Sequence, residues 1–152
     1  MSLESIYSEL LLDHSKHPRN FGKLDETATS IEGANPLCGD EIEIQVKRDG
    51  DKITEISFTG TSCAICTAST SMFCENAEGK SFAELDELRE LFHRFLRGAE
   101  LTDEERAKLG DAAALSGVGK LPARVKCATL VYETWDVLRK KLEEEAVGEM
   151  RK

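Results

Sequence analysis

The chain has 152 residues, of which 40% are hydrophobic, and its 29 acidic and 20 basic side chains give a net charge of −9. This length suits a single domain over residues 1–152, which buries roughly 70% of the surface that its unfolded chain exposes. The negative charge repels phosphate backbones and anionic lipid, so we expect neither nucleic acid nor a membrane surface as a partner.

A helix and a β-hairpin are the first predicted elements. Apolar residues recur at helical spacing over residues 3–16, and the helix should end at His17-Pro18, because proline disfavours helix in the residue before it. Apolar and polar residues then alternate over 42–46 and 54–58. This pattern predicts two antiparallel strands joined by a three-residue loop, Asp49-Gly50-Asp51.

The register of this hairpin should keep every apolar side chain on one face, because a slip of one residue would turn a whole strand over. Pairing Ile44 with Ile56 satisfies this condition. Continuing the same ladder to the end of the hairpin places Cys63 beside Cys38.

Four helical or loop segments follow the hairpin. Small and apolar residues after Cys63 predict a helix that ends at Gly79. Two capping-box patterns, each with serine or threonine three positions before glutamate, predict helices over about 82–97 and up to about Leu109. The Ser-Gly-Val-Gly stretch at 116–119 indicates a flexible loop.

The last predicted helix begins near Pro122, since proline is favoured in a first helical turn, and it keeps helical spacing to Leu142. From about residue 143 the chain is polar enough to fray. Together these elements indicate an α+β fold, in which a small antiparallel β-sheet packs against several α-helices. His14 falls in the last turn of the first helix, where a histidine usually complements the helix dipole or binds solvent.

The chemistry of the chain is indicated by its five cysteines. Apolar runs are short and the N-terminus lacks the pattern of a secretory signal, so we expect no transmembrane segment and a cytoplasmic location. In that reducing compartment, metal binding or thiol chemistry is a better expectation than a disulfide framework.

Zinc favours four tetrahedral ligands drawn from thiolate, imidazole and carboxylate. The expected hairpin register joins Cys38, Asp40 and Cys63, and Cys127 in the second turn of the last helix completes a set of four. The helix dipole should lower the pKa of the Cys127 thiol. Carboxylate is a harder ligand than thiolate, so Asp40 should be weakly held and the site open to ligand exchange.

Basic residues lie beside Cys127 in the sequence, and the remaining cysteines have other possible roles. Arg124 and Lys126 flank the fourth candidate ligand and are expected to balance the excess negative charge of the site. Cys74 fits a buried, inert thiol. The Cys63-Ala64-Ile65-Cys66 stretch also matches a thioredoxin-like dithiol, but a hairpin precedes it where that fold needs a parallel βαβ unit.

Four sequence motifs, taken together, are specific enough to indicate a protein family. They are His-Pro-Arg-Asn-Phe-Gly at 17–22, Asn-Pro-Leu-Cys-Gly-Asp at 35–40, Gly-Thr-Ser-Cys-Ala-Ile at 60–65, and Pro-Ala-Arg-Val-Lys-Cys-Ala-Thr-Leu at 122–130. With these motifs the chain resembles the IscU/NifU-N family over nearly its whole length. It resembles the SufU branch more than the IscU scaffold branch, which generally carries histidine where this chain has Lys126. The helical insertion at about 82–110 is also similar to SufU-type proteins.

The resemblance implies a sulfurtransferase of the SUF system that acts as the partner of a SufS-type cysteine desulfurase rather than as a stand-alone enzyme. Zinc would be held by Cys38, Asp40, Cys63 and Cys127, and Cys38 would accept the persulfide sulfur. A desulfurase histidine would replace Cys38 on zinc and free its thiolate for attack. The sulfur would then pass to a SufB-containing assembly complex.

Two rival functions and one departure from the family remain. The first rival is a scaffold on which a [2Fe-2S] cluster, or bound iron, replaces zinc. The second is a purely structural zinc site. Cys66 stands where family members commonly have serine, so it is either an inert replacement or a redox partner whose disulfide with Cys63 would eject zinc.

Overall fold

The computed structural model describes the backbone of residues 3–150 and the side chains of residues 9–149. Its elements in chain order are α1 (Leu3–Lys16), β1 (Thr29–Asn35), β2 (Asp40–Asp49), β3 (Lys52–Thr61), α2 (Ala64–Ala77), α3 (Phe82–Leu96), α4 (Asp103–Leu109), a 3-10 helix (Gly110–Lys120) and α5 (Pro122–Met150). The strands form one antiparallel sheet in the order β1-β2-β3, which confirms the predicted α+β fold. No helix within residues 3–150 is both long enough and apolar enough to cross a bilayer.

The core lies between the sheet and the helices α2 and α5. Alternate residues of β2 face this core and are buried, as the hairpin pattern predicts. On the helical side, the buried Tyr132 of α5 stacks on Phe92 at 4.3 Å and meets Phe73 edge-on at 5.1 Å between ring centroids. Helix α5 also packs against β1, and its second turn lies at the end of the sheet, where Cys127 contacts Cys38 in the β1–β2 turn.

The hairpin of β2 and β3 is confirmed, but its register differs by two residues from the expected one. Ile44 pairs with Phe58 rather than Ile56. A two-residue shift leaves the apolar side chains on the same face, so alternation alone does not distinguish the two registers. A register irregularity after Lys47 accompanies the shift, and the loop shortens to Gly50-Asp51 where three residues were expected.

Strand β1 is absent from the sequence-based prediction, because it holds only one large apolar residue, Ile31, and is interrupted by glycine. Gly33 is needed for close packing against α5: a Cβ added there would lie 2.0 Å from Thr134 Oγ1. The strand therefore contacts the helix more closely than any side chain would permit.

We expect Gly33→Ala to lower the free energy of unfolding by about 1–3 kcal/mol, the usual cost of overpacking a tight contact. Urea unfolding followed by circular dichroism measures this change. The second substitution Thr134→Ala removes the hydroxyl that the new methyl group would meet, so the double variant should recover part of the loss. Equal losses in both backgrounds would show that the contact with Thr134 is not the cause.

Residues 116–119 are not the flexible loop that their glycines suggest, since they belong to the 3-10 helix. Ala112, Leu115 and Val118 are buried and recur every three residues, which matches the three residues per turn of this helix type. Burial of this stripe outweighs the local preference of glycine for a loop.

The C-terminal turns of α5 are helical to Met150, which includes the polar segment from residue 143 that we expect to fray. Thr29 Oγ1 donates a hydrogen bond of 2.9 Å to the Glu145 carboxylate. Arg48 pairs with Glu149 at 2.9 Å. Both contacts tie these turns to the sheet.

Candidate metal centre

Cys38 lies in the turn between β1 and β2. Its backbone N–H donates to the carbonyl of Asn35 at 3.2 Å, which closes a four-residue turn with Pro36 at the second position, where the fixed φ of proline is favoured. Gly39 follows with a φ of +69°, a left-handed conformation that glycine adopts without strain. The turn holds the Cys38 thiol half-buried at the end of the sheet.

Asp40 begins β2, and its side chain is only 1% exposed. Its Oδ1 accepts a hydrogen bond of 2.8 Å from the backbone N–H of Cys63, and its Oδ2 lies 3.9 Å from Cys63 Sγ. Cys63 is the N-cap of α2, where its sulfur accepts from the Cys66 N–H at 3.4 Å. Cys63 therefore lies beside Asp40 rather than beside Cys38, as the two-residue register shift requires.

Cys127 is the fourth candidate ligand, and it is fully buried in the second turn of α5. Its thiol donates to Cys38 Sγ at 3.2 Å. Ligand atoms of Cys38, Asp40 and Cys127 all lie within 4.8 Å of one another. Cys63 borders this group through its contact with Asp40. The structure thus brings Cys38, Asp40 and Cys127 into one group and places Cys63 at its edge, against Asp40.

The electrostatics of this cluster favour a cation. The pKa of the Cys127 thiol is raised, chiefly by burial and then by its hydrogen bonds to the thiols of Cys38 and Cys63. This direction is opposite to the lowering expected from the helix dipole, because that dipole supplies only about 0.3–1 kcal/mol at an exposed site and desolvation outweighs it. A divalent cation reverses this balance by stabilising thiolates. Three thiols and one carboxylate fit the donor preferences of zinc.

Both expected supporting residues, Arg124 and Lys126, are exposed side chains in the first turns of α5. The pKa of the Arg124 guanidinium is raised by its interaction with the Cys127 sulfur and also by the Cys63 and Cys38 sulfurs. Arg124 is therefore the residue placed to offset negative charge at the cluster.

Cys66 and Cys74 are both fully buried in α2. Burial raises the pKa of the Cys66 thiol to about 12, and the nearby Asp40 carboxylate adds to this effect. Burial likewise raises the pKa of Cys74. Such thiols hold almost no thiolate at neutral pH and react slowly with oxidants. These properties favour the interpretation of Cys66 as an inert replacement for serine.

We therefore expect Cys66→Ser to leave the oxidation sensitivity of the site unchanged. After mild peroxide treatment, the variant and the unmodified chain should release zinc at the same rate, and thiol counting should give parallel losses. A Cys63–Cys66 disulfide identified by peptide mass spectrometry, together with slower zinc release in the variant, would instead support the redox switch.

A second cluster surrounds His14, which is fully buried rather than open to solvent. Its Nδ1 lies 2.8 Å from Ser71 Oγ and its Nε2 lies 2.8 Å from Asp111 Oδ2. With both ring nitrogens engaged, His14 joins α1 to α2 and to the 3-10 helix. Its partners lie 57 and 97 residues away in sequence, so helix periodicity provides no signal for them.

The chain is similar to known proteins over most of its length. The family model of the NifU-like N-terminal domain matches residues 6–128. The zinc-dependent sulfurtransferase SufU of Bacillus subtilis (strain 168) is 37% identical over 147 residues, covering 97% of this chain and 96% of that protein. The iron-sulfur cluster assembly scaffold protein IscU of Streptococcus pyogenes serotype M1 is 39% identical over 144 residues, covering 95% and 87%.

A solved structure has a similar fold. It is described as an iron-sulfur cluster assembly scaffold protein for the SUF system, FiSufU, from Fervidobacterium islandicum AW-1. Its TM-score is 0.79 at 36% sequence identity, and the match covers 88% of this chain and 96% of that one.

Proposed function

Because this chain belongs to the family of the NifU-like N-terminal domain, whose SufU and IscU members serve iron-sulfur cluster assembly, we propose that it is a zinc-dependent sulfur carrier. The observation that carries this proposal is the position of Cys38. Its half-buried thiol lies in an exposed turn, beside Leu37 at 80% exposure, and yet within 3.2 Å of the buried Cys127 sulfur. The Cys38 thiol thus belongs to the candidate metal-binding cluster and is also accessible to a partner protein.

The proposed zinc ligands are the four clustered residues, Cys38, Asp40, Cys63 and Cys127. Bound zinc would hold the thiols as thiolates at neutral pH and would tolerate the exchange of one ligand. Cys127 is fully buried, and the half-buried Cys63 is held at the N-cap of α2 by the Cys66 N–H, whereas the half-buried Cys38 lies in a turn. Cys38 is therefore the thiolate ligand best placed to leave the cluster and react.

Sulfur transfer then follows from the chemistry of thiolates. The Cys38 thiolate attacks the terminal sulfur of a cysteine persulfide on the donor protein, a new S–S bond forms on Cys38, and the donor cysteine departs as a thiolate. Arg124, next to the sulfur atoms, stabilises the negative charge during this exchange. The SufU relatives connect the family to the SUF system, which implies a sulfur donor. We propose a SufS-type cysteine desulfurase as that donor and a SufB-containing complex as the acceptor.

Labelled sulfur tests this function directly. Zinc-loaded protein is incubated with an active SufS-type desulfurase and ³⁵S-labelled cysteine, and the products are separated on a non-reducing gel. We expect label on this chain that a reductant removes. Label confined to the desulfurase would favour a scaffold or a structural zinc site.

A [2Fe-2S] scaffold is the second candidate function, supported by the IscU relative and by donor residues that also suit such clusters. Lys126 occupies the position where scaffold members of the family generally have histidine, and this favours the sulfur carrier.

Asp40→Ala separates a transfer site from a structural one. We expect zinc release to accelerate by about 10- to 100-fold, as for other losses of weakly held groups at metal sites, while the fold persists. Chelator competition measures zinc release and thermal unfolding of the metal-free protein measures the fold. A variant that unfolds in step with zinc loss would indicate a structural metal.

A further inference from the structure

Asn35 is a buried polar residue at this site that sequence reasoning missed. Its side chain is 6% exposed, and its Nδ2 has no hydrogen-bond acceptor among the described side chains and backbone of the chain. A buried N–H group without an acceptor is costly, and such groups in native proteins call for an explanation.

The position of Asn35 follows from the sheet. Asn35 is the direct cross-strand partner of Asp40, so both side chains leave the sheet on the same face. Gly33, two residues earlier and on that face, contacts Thr134 of α5. Thr29 meets Glu145 further along the same helix, so β1 and α5 run in opposite directions. Asn35 therefore faces the N-terminal half of α5, where the cluster lies.

Asp40 is a buried carboxylate with acceptor positions left for a further donor. Its Oδ1 accepts from the Cys63 N–H at 2.8 Å, and its Oδ2 has only a long contact of 3.9 Å with the Cys63 thiol among the described residues. An ionised carboxylate has about four acceptor positions, and burying its charge is costly unless they are used. Directly paired residues have Cβ atoms about 4.5–5.5 Å apart, a separation that two short side chains bridge with one hydrogen bond.

We propose that Asn35 is a positioning residue for Asp40: when zinc binds, its Nδ2, which lacks an acceptor within the described part of the chain, donates a hydrogen bond to the carboxylate and holds one carboxylate oxygen toward the metal position. This inference rests on the proposed zinc site. Carboxylates that bind metals are generally oriented by such hydrogen bonds from a neighbouring group. Asn35 would then control how long Asp40 stays bound, and with it the ease of ligand exchange.

Asn35→Leu tests this role, because leucine has nearly the same size and lacks the N–H donors. We expect zinc release to a chelator to accelerate by about 10- to 100-fold, the usual effect of losing a group that orients a ligand. Asn76→Leu is the matched control: Asn76 Nδ2 donates to the carbonyl of Leu109, outside the cluster. The control variant should release zinc like the unmodified chain.

A merely structural role is excluded by a double-mutant cycle with Asp40→Ala. That background keeps three thiolates, which with a water molecule still form a four-coordinate zinc site, so release remains measurable. If Asn35 acts through Asp40, Asn35→Leu should have no further effect in this background. An equal acceleration with and without Asp40 would overturn the proposal.

The Asn35 side-chain amide supplies an independent signature in the unmodified protein. Its ¹⁵N-¹H signals, assigned by their loss in Asn35→Leu, should shift downfield and exchange more slowly when zinc is added. Zinc bound in a one-to-one ratio with unshifted Asn35 signals would overturn this inference alone. Failure of the unmodified chain to bind zinc would contradict the proposed function instead.

Discussion

Cys38→Ser is expected to abolish sulfur acceptance while the fold remains intact. A serine hydroxyl cannot form a persulfide, and the residue lies half-buried in a turn, where loss of one sulfur atom disturbs little packing. Because Cys38 is also a proposed zinc ligand, the variant is loaded with excess zinc and its zinc content is measured before desulfurase and labelled cysteine are added. We expect no label on the chain above background, even in variant that retains zinc. Circular dichroism and the thermal midpoint of unfolding should stay close to those of the unmodified protein.

Cys66→Ser is the control for this experiment, because it removes a thiol of α2 that is buried and has a raised pKa. This variant should accept sulfur normally. If Cys38→Ser still accepts sulfur, the acceptor must be another cysteine, and Cys63 is then the first candidate because its thiol is also half-buried.

Cys127→Ser is expected to reduce zinc retention by more than about 100-fold, beyond the effect of losing a group that only orients a ligand. Cys127 is fully buried, and its sulfur lies within 4.8 Å of the ligand atoms of Cys38 and Asp40. Serine is a poor substitute, because its hydroxyl ionises far less readily than a thiol. Zinc per chain after passage over a chelating resin measures the change.

Cys74→Ser provides a matched comparison, because Cys74 is equally buried and lies away from the cluster in the helical core. Cys74→Ser places a hydroxyl in the apolar core and should cost stability without changing the cluster. Only the Cys127 variant should lose zinc. Equal zinc content in the two variants would remove Cys127 from the ligand set.

Local signals in the sequence predict the helices well, and long-range packing explains the elements that they miss. The capping boxes at Ser81 and Thr102 are present and mark the starts of α3 and α4. Strand β1 carries little apolar pattern of its own, because Gly33 is selected by its contact with α5. The hairpin register remains ambiguous from alternation, since shifts of two residues preserve the faces.

At the site, too, the sequence indicates which residues take part, whereas long-range packing determines their environment. The motifs select the four residues that the structure brings together, and they place Arg124 beside them. The direction of the Cys127 pKa could not be predicted from the helix dipole, because burial depends on the packed structure. Asn35 escaped notice because its burial and its pairing with Asp40 depend on a strand that the sequence pattern does not reveal.

In the proposed function, Cys38 carries the transferred sulfur. A single turnover of persulfide-loaded desulfurase with the zinc-loaded chain, quenched by alkylation and followed by peptide mass spectrometry, identifies the acceptor. We expect one additional sulfur atom on the peptide that contains Cys38, and none on the peptides that contain Cys63 or Cys127. Additional sulfur on either of those peptides, or sulfur retained entirely by an active desulfurase, would contradict it.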